Sequence, residues 1–451
     1  MDPSGDGVAH HRGVRVFVPF SIPGEQLRVR VRQRRGRDAW ASIEGIVSAS
    51  PHRIRPRCQH FGPPDLCGGC AWQHIAYPEQ LRLKTDLVRR LITASFAQAA
   101  GASKQATRTF GVEPAIPSTP GDDPWGYRHK VHFVFANSGR SGPLVMGHYV
   151  RGSRKVFMAR ECPVHDARGN AFAFALHEEC TRAGVVAAPA GALRHVAVRC
   201  AAASRDTMAT LVVANAADRR LREATRRALR RPDMPASFHL NVHDRDDPYI
   251  FGDETRHVSG PRHLREHVGG NAFVLSPTAF FQTNVRAAEI LVQLVLDSLP
   301  AGKPVLDLYA GVGLFALPLA RRGDRVVAIE ESRAATRDGI ASLALNRIPP
   351  DRCRFIARRV QAALRTVDAG SAPHVVLDPP RQGCEPGVID DIFERVRPER
   401  AVYVSCNPEA LAADLPRIVQ LGYQVGRIQP VDMFPHTSHV ETVAMLNRAH
   451  A

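Results

Sequence analysis

The 451-residue chain has no run of about 18 apolar residues, the length a membrane-spanning helix needs. Its opening, MDPSGDGVAHHRG, also lacks the apolar core of a secretion signal. Neither membrane insertion nor secretion is expected, and a cytoplasmic protein working as a monomer is. No internal repeat or long low-complexity tract appears, and 44% hydrophobic residues supply a sizeable core. The length exceeds what one compact core holds, so roughly two to four domains are expected. Acids are outnumbered, 44 Asp and Glu against 60 Lys and Arg, for a formal net charge of +16. That imbalance favours a polyanionic partner such as nucleic acid, because each phosphate neutralised releases counterions. Arginine-rich codon usage would inflate the same count. Nine cysteines in a long chain without a secretion signal read as thiols, ligands or catalysts rather than disulfides.

Residues 1–57 read as a small β module. Val14-Arg15-Val16-Phe17-Val18 and Leu27-Arg28-Val29-Arg30-Val31 alternate apolar and basic positions, with Pro23-Gly24 as the turn between them. Eleven Arg against five acids in this segment put cations opposite the apolar face, a pattern that suits a small OB-like barrel gripping an RNA backbone. A solvated strand face is the alternative. The stretch GDGVAHHRGVRVFVPFSIPGE resembles the opening of a TRAM domain, an accessory RNA-binding barrel.

Cys58 is followed by Cys67-Gly68-Gly69-Cys70, a Cys-x2-Cys with a third thiol nine positions upstream, and the glycines let the backbone fold tightly around a metal. Three thiolates are one short of a tetrahedral set. Cys162, in Glu161-Cys162-Pro163-Val164-His165, is the best fourth because Cys-Pro recurs in iron–sulfur ligation. Spacing alone leaves zinc or unrelated buried thiols open. From Pro78 to about Ala100, Leu81, Leu83, Leu87, Val88, Leu91 and Ile92 mark an amphipathic helix that Gly101 and the polar residues after it end. Between Trp125 and His257, short strands alternate with basic turns, as in Tyr127-Arg128-His129-Lys130-Val131-His132-Phe133-Val134-Phe135. Interleaved aromatics and cations offer stacking and phosphate contact, although half-buried strand residues explain Phe133 and Phe135 equally well. A basic helix over Asp218 to Arg231 serves RNA or is only a solvated face.

The last third changes character. Val305–Tyr309, Arg325–Glu330, His374–Asp378 and Ala401–Ser405 are short apolar runs ending in polar residues, with helical segments between, which predicts a parallel, doubly wound sheet. The first runs into Asp307-Leu-Tyr309-Ala-Gly311-Val-Gly313, a turn whose glycines admit a cofactor. The dinucleotide fingerprint is incomplete, because Ala316 stands at its third glycine. Glu330, 23 positions after Asp307, can accept the ribose hydroxyls of an adenosine, and Asp307 suits a cationic end. The pair fits S-adenosylmethionine (AdoMet) better than a dinucleotide. In Asp378-Pro379-Pro380-Arg381 the aromatic that amino-methyltransferases place after the two prolines is replaced by Arg381, which argues against N-methylation; a plain Pro-Pro turn is the alternative. Cys406 ends the apolar strand Tyr403-Val404-Ser405, as a core thiol or a nucleophile.

Five motifs then stand in register: Phe280-Phe281-Gln282-Thr283-Asn284, LDLYAGVGLFALPLA, LDPPRQG, YVSCNPEALAADL and Asp432-Met433-Phe434-Pro435-His436-Thr437-Ser438-His439-Val440-Glu441. Their order and spacing resemble the RNA 5-methyluridine (uracil-C5) methyltransferases, and with the cysteine motif and TRAM-like start the resemblance covers nearly the whole chain. It implies that Cys406 attacks C6 of a uracil, that Glu441 removes the C5 proton, and that Asp378 and Gln282 hold the base, with Arg381 beside them. It also implies that Gln282, Asp307, Tyr309, Gly311, Gly313, Glu330 and Asp378 line the AdoMet site, and that Cys58, Cys67, Cys70 and Cys162 hold a [4Fe-4S] cluster. Barrel plus cluster most resembles the enzymes of 23S ribosomal RNA, with transfer RNA as the alternative. The implied fold is a TRAM-like barrel over 1–57, a central α+β cluster domain over 58–262 and a Rossmann-like class I methyltransferase domain over 263–451, with the helix over 78–100 able to pack on the last.

Two departures from the family pattern stand out. Pro63-Pro64-Asp65-Leu66 lengthens the loop between Cys58 and Cys67, and Ala410 and Ala413 replace the usual Thr and Arg. A cytosine-C5 methyltransferase is disfavoured because it carries a second cysteine where this chain has Asp378-Pro379. A vestigial, redox-sensing RNA binder should have lost Cys406, Asp378 or Glu441, and all three are present.

Overall fold

The computed structural model describes all residues except 101–110, 120, 122, 140, 141, 233, 248, 369, 450 and 451. The N-terminal strands β1 (Gly7–His11), β2 (Val14–Val18), β3 (Gln26–Arg35) and β4 (Asp38–Ser48) form a sheet in the order β1-β2-β4-β3. Pro23-Gly24 forms the expected turn between β2 and β3, but the two strands do not pair with each other. β4 lies between them, parallel to β2 and antiparallel to β3. Two-residue turns join the paired neighbours, β1 to β2 at Arg12-Gly13, where both residues have positive φ, and β3 to β4 at Gly36-Arg37. Arg28, Arg30, Arg32 and Arg34 are exposed along β3, so its cations do face outward.

Helix α1 (Tyr77–Ala100) lies on the C-terminal domain, burying Val88 and Ile92 in that domain's core. Gly101, expected to end it, lies outside the described residues. The central sheet comprises β5 (Lys130–Asn137), β6 (Leu144–Tyr149), β7 (Val156–Met158), β8 (Leu193–Cys200), β9 (Thr207–Val213), β10 (Ser237–Val242) and β11 (Glu254–Ser259) in the order β11-β10-β9-β8-β5-β6-β7. Helices α2 (Ala167–Arg182) and α3 (Arg219–Ala228) share a core with it, each started by an aspartate, Asp166 and Asp218, that caps a backbone N–H. Phe133 and Phe135 are 0% and 4% exposed in that core, so they pack the sheet and do not stack on bases. α3 is shorter than the 218–231 expected, because the chain turns at Leu229.

The third unit begins with the hairpin β12 (Leu264–Val268) and β13 (Asn271–Leu275), then alternates α4 (Val285–Ser298), β14 (Pro304–Leu308), α5 (Ala316–Arg322), β15 (Arg325–Glu330), α6 (Arg333–Leu345), β16 (Cys353–Ala357), α7 (Val360–Leu364), β17 (His374–Leu377), α8 (Val388–Asp390), β18 (Arg400–Ser405), α9 (Pro408–Gln420), β19 (Tyr423–Val431) and β20 (Glu441–Arg448). The sheet order is β16-β15-β14-β17-β18-β20-β19. The first five strands are parallel and β20 is antiparallel to both neighbours. The four expected strands are present within a residue of their predicted ends. Strand order reverses between β14 and β17, and open α/β sheets bind ligands outside the carboxyl ends of their strands at such a point.

Candidate active site

At the switch point, β14 delivers Asp307 with no exposed surface, and among the described residues its carboxylate oxygens have no well-formed hydrogen bond, with the Ala316 backbone N–H nearby. Burial, then the nearby charge of Asp378, holds its pKa well above the usual carboxylate range. The glycine turn follows. Tyr309, Gly311 and Gly313 all take positive φ, +61°, +56° and +92°. Glu330, at the end of β15, closes this turn by accepting the Gly311 N–H at 2.9 Å and the Ser332 N–H at 2.7 Å. A Cβ on Gly313 would sit 2.4 Å from Leu317 Cδ1 and 2.8 Å from Phe355 Cζ, so this position excludes any side chain. The Tyr309 ring packs toward the core shared with α1 and α9, and its hydroxyl lies beside Cys384 and Glu385.

Further along the same sheet edge, Ser405 of β18 pairs with Thr442 of antiparallel β20. Extending that register by one position sets Cys406 opposite Glu441, 35 residues apart in sequence, and the charge of Glu441 is felt at the Cys406 thiol. Asp378 follows β17, whose Leu377 pairs with Tyr403 of β18. Arg381, exposed on the loop beyond, is held by its carbonyl, which accepts the Asn407 amide at 2.9 Å. Gln282 is 8% exposed in the turn before α4, two residues from Asn284, whose amide donates to the Met433 carbonyl at 3.0 Å.

These groups perturb one another. Glu441 is pushed up to about 8 by burial and then by Asp378, with Arg381 opposing. Burial pushes Asp378 up to about 7. Cys406 rises to about 11 through burial, then the charges of Glu441 and Asp378, again with Arg381 opposing. A carboxylate poised near neutrality is a better proton acceptor than an ordinary one. The thiol keeps its proton until something nearby takes it.

Cys58, Cys67, Cys70 and Cys162 line one cavity, together with His60, Arg128, His148 and His165. The Gly68 N–H donates to the Tyr149 carbonyl at 2.9 Å, and Gly69 N–H points at Cys67 Sγ at 3.4 Å. Burial first raises all four thiols; neighbouring thiolates add to it at Cys67, to about 11, at Cys70, to about 12, and at Cys162, whereas at Cys58 the added push comes from Glu161 and Asp65. Four converging thiols that cannot all ionise unaided fit a cationic centre that neutralises them. A second donor set shares Cys162: ligand atoms of His148, Cys162 and His165 lie within 4.8 Å of one another.

Several contacts around the site were not anticipated. Lys84 of α1 forms an ion pair with Asp432, both without exposed surface, and donates to the Phe434 carbonyl at 3.0 Å. The loop bearing the catalytic-looking motif before Glu441 is thus held by a helix about 350 residues earlier in the chain. A lysine within the apolar stripe of α1 was the available signal. Cys384 donates to the Tyr403 hydroxyl at 3.8 Å, which donates to Asp414 at 2.7 Å, pinning the loop after Arg381 to β18 and α9.

Comparison with known proteins agrees with this geometry. The chain is 35% identical over 452 residues to an uncharacterized RNA methyltransferase of Gloeobacter violaceus, covering 99% of this chain and 94% of the relative. One from Thermosynechococcus vestitus is 34% identical over 453 residues, covering 99% and 96%. The crystal structure of Pyrococcus abyssi tRNA (uracil-54, C5)-methyltransferase in complex with S-adenosyl-L-homocysteine superposes with a TM-score of 0.76 at 25% identity, covering 99% of this chain and 98% of that one. The mixed α/β fold and these relatives define an RNA methyltransferase, an enzyme of the transferase class. Residues 267–449 match the model of the tRNA (uracil-5-)-methyltransferase family, and the chain belongs to that family. Among the described residues no helix is long and apolar enough to cross a membrane.

Proposed function

We propose that the protein methylates C5 of a uridine in RNA, using Cys406 as nucleophile and Glu441 as base. The observation that supports this reading is the β18–β20 register: extended by one position past Ser405 and Thr442 it runs Cys406 opposite Glu441, and the charge of Glu441 acts on the Cys406 thiol. C5 of uracil is too weak a nucleophile to take a methyl group unaided. Addition of the Cys406 thiolate to C6 pushes the C5–C6 π electrons toward the exocyclic carbonyl oxygen on C4, and the resulting enolate carries its nucleophilic density at C5. AdoMet supplies a methyl group on a cationic sulfur, and Asp307, Tyr309, Gly311, Gly313 and Glu330 would hold it; the two unbonded, buried oxygens of Asp307 fit a cationic, hydrogen-bond-donating end. The neighbour's bound S-adenosyl-L-homocysteine supports this assignment. After methylation the C5 proton passes to the Glu441 carboxylate, the C5–C6 double bond re-forms, and the thiolate leaves. Asp378, Gln282 and Arg381 hold the uracil, which must be flipped out of its stack to reach them.

The four-cysteine cavity is read as the seat of a [4Fe-4S] cluster and the N-terminal sheet as a TRAM-like RNA-binding barrel, giving an enzyme that acts in the cytoplasm as a monomer. The domain limits follow as 1–57, 58–262 and 263–451. For the RNA, the proposal is 23S ribosomal RNA. A second reading, transfer RNA, is supported by the P. abyssi tRNA (uracil-54, C5)-methyltransferase, which matches over 99% of this chain.

Incubation with 5-fluorouridine RNA and AdoMet should trap a covalent adduct in the native enzyme and none in Cys406→Ala; an adduct in the variant refutes the nucleophile. Loss of one 5-methyluridine from 23S rRNA in a deletion strain identifies the substrate, and loss from tRNA instead selects the second reading. Protein purified without oxygen should be brown, absorbing at about 400 nm. A colourless protein with stoichiometric zinc refutes the cluster.

A further inference from the structure

We propose that His436 is a positioning residue that ties the placement of Glu441 to the integrity of the thiol-lined cavity, an inference resting on the methylation reading above. His436 sits at the apex of the loop between β19 and β20, five residues before Glu441, in the left-handed region at φ +66°. A β-carbon-bearing residue adopts that conformation when its surroundings hold it there. Here they do so on every side.

The His436 carbonyl accepts two backbone N–H groups at 2.9 Å each, from Ala71 and Trp72. Ala71 is the residue directly after Cys70, so the segment closing the thiol cavity and the loop carrying the base share these bonds. The His436 N–H donates to Gln80 Oε1 at 2.8 Å, and the Gln80 amide donates back to the Trp72 and Ile75 carbonyls at 3.1 and 2.8 Å. One α1 side chain therefore clamps both partners. The imidazole stacks on Trp125 with ring centres 4.0 Å apart. Beside it, the Tyr127 hydroxyl donates to the Pro435 carbonyl at 3.0 Å. That Trp125–Arg128 segment is itself fastened to the other cysteine loop, because Gly126 and Arg128 N–H groups donate to the Pro163 and Val164 carbonyls just beyond Cys162, at 3.0 Å each. Both cysteine loops thus converge on one turn, the first through its backbone and the second through Trp125 and Tyr127.

The geometry gives the cavity a catalytic consequence without contact with substrate. With its four thiols gathered on a common centre, Cys67–Cys70 and Cys162–Val164 are held, and the turn at His436 is held with them. When the centre is lost the two bonds to the His436 carbonyl lose their anchor, the turn relaxes from its left-handed conformation, and Glu441 shifts relative to Cys406. A displacement of about 1 Å at a reacting group costs roughly 100-fold in rate. The defect should fall on proton removal from C5 and spare the addition of Cys406 to C6, because Cys406 follows directly on β18 and none of these contacts involves β18 or Cys406.

Two substrates separate the steps. RNA containing 5-fluorouridine reports addition and methylation without proton removal, since fluorine occupies C5; RNA containing uridine tritiated at C5 reports proton removal as tritium release. Full-length protein stripped of iron by chelation without oxygen should still form the fluorouridine adduct while tritium release falls roughly 100-fold. His436→Gly, which tolerates the left-handed turn but lacks the ring that stacks on Trp125, should show a smaller loss of the same kind with the absorbance at about 400 nm retained. Amide hydrogen exchange over residues 432–441 should quicken in both proteins, with residues 305–330 unchanged. Unaltered exchange over 432–441 in the stripped protein, or equal loss of adduct and tritium release, overturns the proposal. Absence of any adduct in the untreated native enzyme would instead mean that the methylation reading itself has failed.

Discussion

Replacing Glu441 by glutamine should stabilise the protein while stopping turnover, and the stabilisation should depend on pH with a calculable sign. The carboxyl group is 3% exposed, and burial followed by the charge of Asp378 pushes it from an ordinary 4.5 up to about 8. In the unfolded chain it ionises near 4.5, in the native state only near 8. Between those values the native protein keeps a proton that the unfolded chain has released, so stability falls as pH rises through the window. The displacement corresponds to a ceiling of roughly 5 kcal/mol. Glutamine has the same shape and no charge, so the variant escapes this loss. Urea unfolding of the two proteins should coincide at about pH 4 and separate progressively up to about pH 8, with the variant unfolding later. With a denaturant slope of about 1–3 kcal/mol per molar urea, even ~2 kcal/mol moves the midpoint by about 1 M. A gap that does not change with pH, or a variant less stable at about pH 8, would refute the reasoning. The same variant should accumulate a methylated covalent adduct with ordinary uridine RNA, because addition proceeds and elimination does not.

Gly313→Ala places a methyl group 2.4 Å from Leu317 Cδ1 at φ +92°; it should cost about 1–3 kcal/mol in urea unfolding and raise the KM for AdoMet. Lys84→Met or Asp432→Asn alone should destabilise by about 3–5 kcal/mol by leaving a buried charge unpaired, whereas Lys84→Met with Asp432→Leu should recover most of that loss. If the double variant is no better than the single ones, the pair is not held by mutual compensation. Arg381 opposes the rise in the Cys406 thiol, so Arg381→Ala should move the pH profile for fluorouridine adduct formation to higher pH, while Arg381→Lys keeps it; an unmoved profile assigns Arg381 no electrostatic role.

How far the sequence reaches is set by whether a feature is local. β14, β15, β17 and β18 could be read because parallel strands buried on both faces are short, continuous apolar runs. β16, Cys-Arg-Phe-Ile-Ala, hides because two of its five residues are not strongly apolar and its burial is partial. In the N-terminal sheet, alternation marks β2 and β3 as strands and Pro23-Gly24 as the turn between them but says nothing about partners, and those were decided by the turn at Arg12-Gly13 and the insertion of β4. In the site, Asp307, Glu330, Asp378 and Cys406 each end an apolar run and could be found one at a time. Glu441 opens a strand, and only the motif before it pointed there. What placed it opposite Cys406 was the antiparallel return of β20, a long-range pairing. Lys84 was least legible of all, since a charged residue on an amphipathic helix reads as solvent-facing until its partner, Asp432, is seen.

One consequence of gathering Asp307, Asp378 and Glu441 at a single sheet edge concerns the cost of keeping the site. All three are raised by burial, and Asp307 and Glu441 are raised further by Asp378. Such a set weakens the empty fold, since a buried acid without compensation lowers stability at neutral pH. It also makes the site receptive. A ligand that brings positive charge to the mouth of β14 relieves Asp307, whose oxygens have no well-formed hydrogen bond among the described residues, and so gains affinity from repulsion built into the fold. The methyl donor carries positive charge on sulfur and its demethylated product does not. The hydrogen-bond-donating end that suits Asp307 is common to both, so it is the acids that feel the sulfur charge that should hold the donor more tightly than the product, favouring exchange after each turnover.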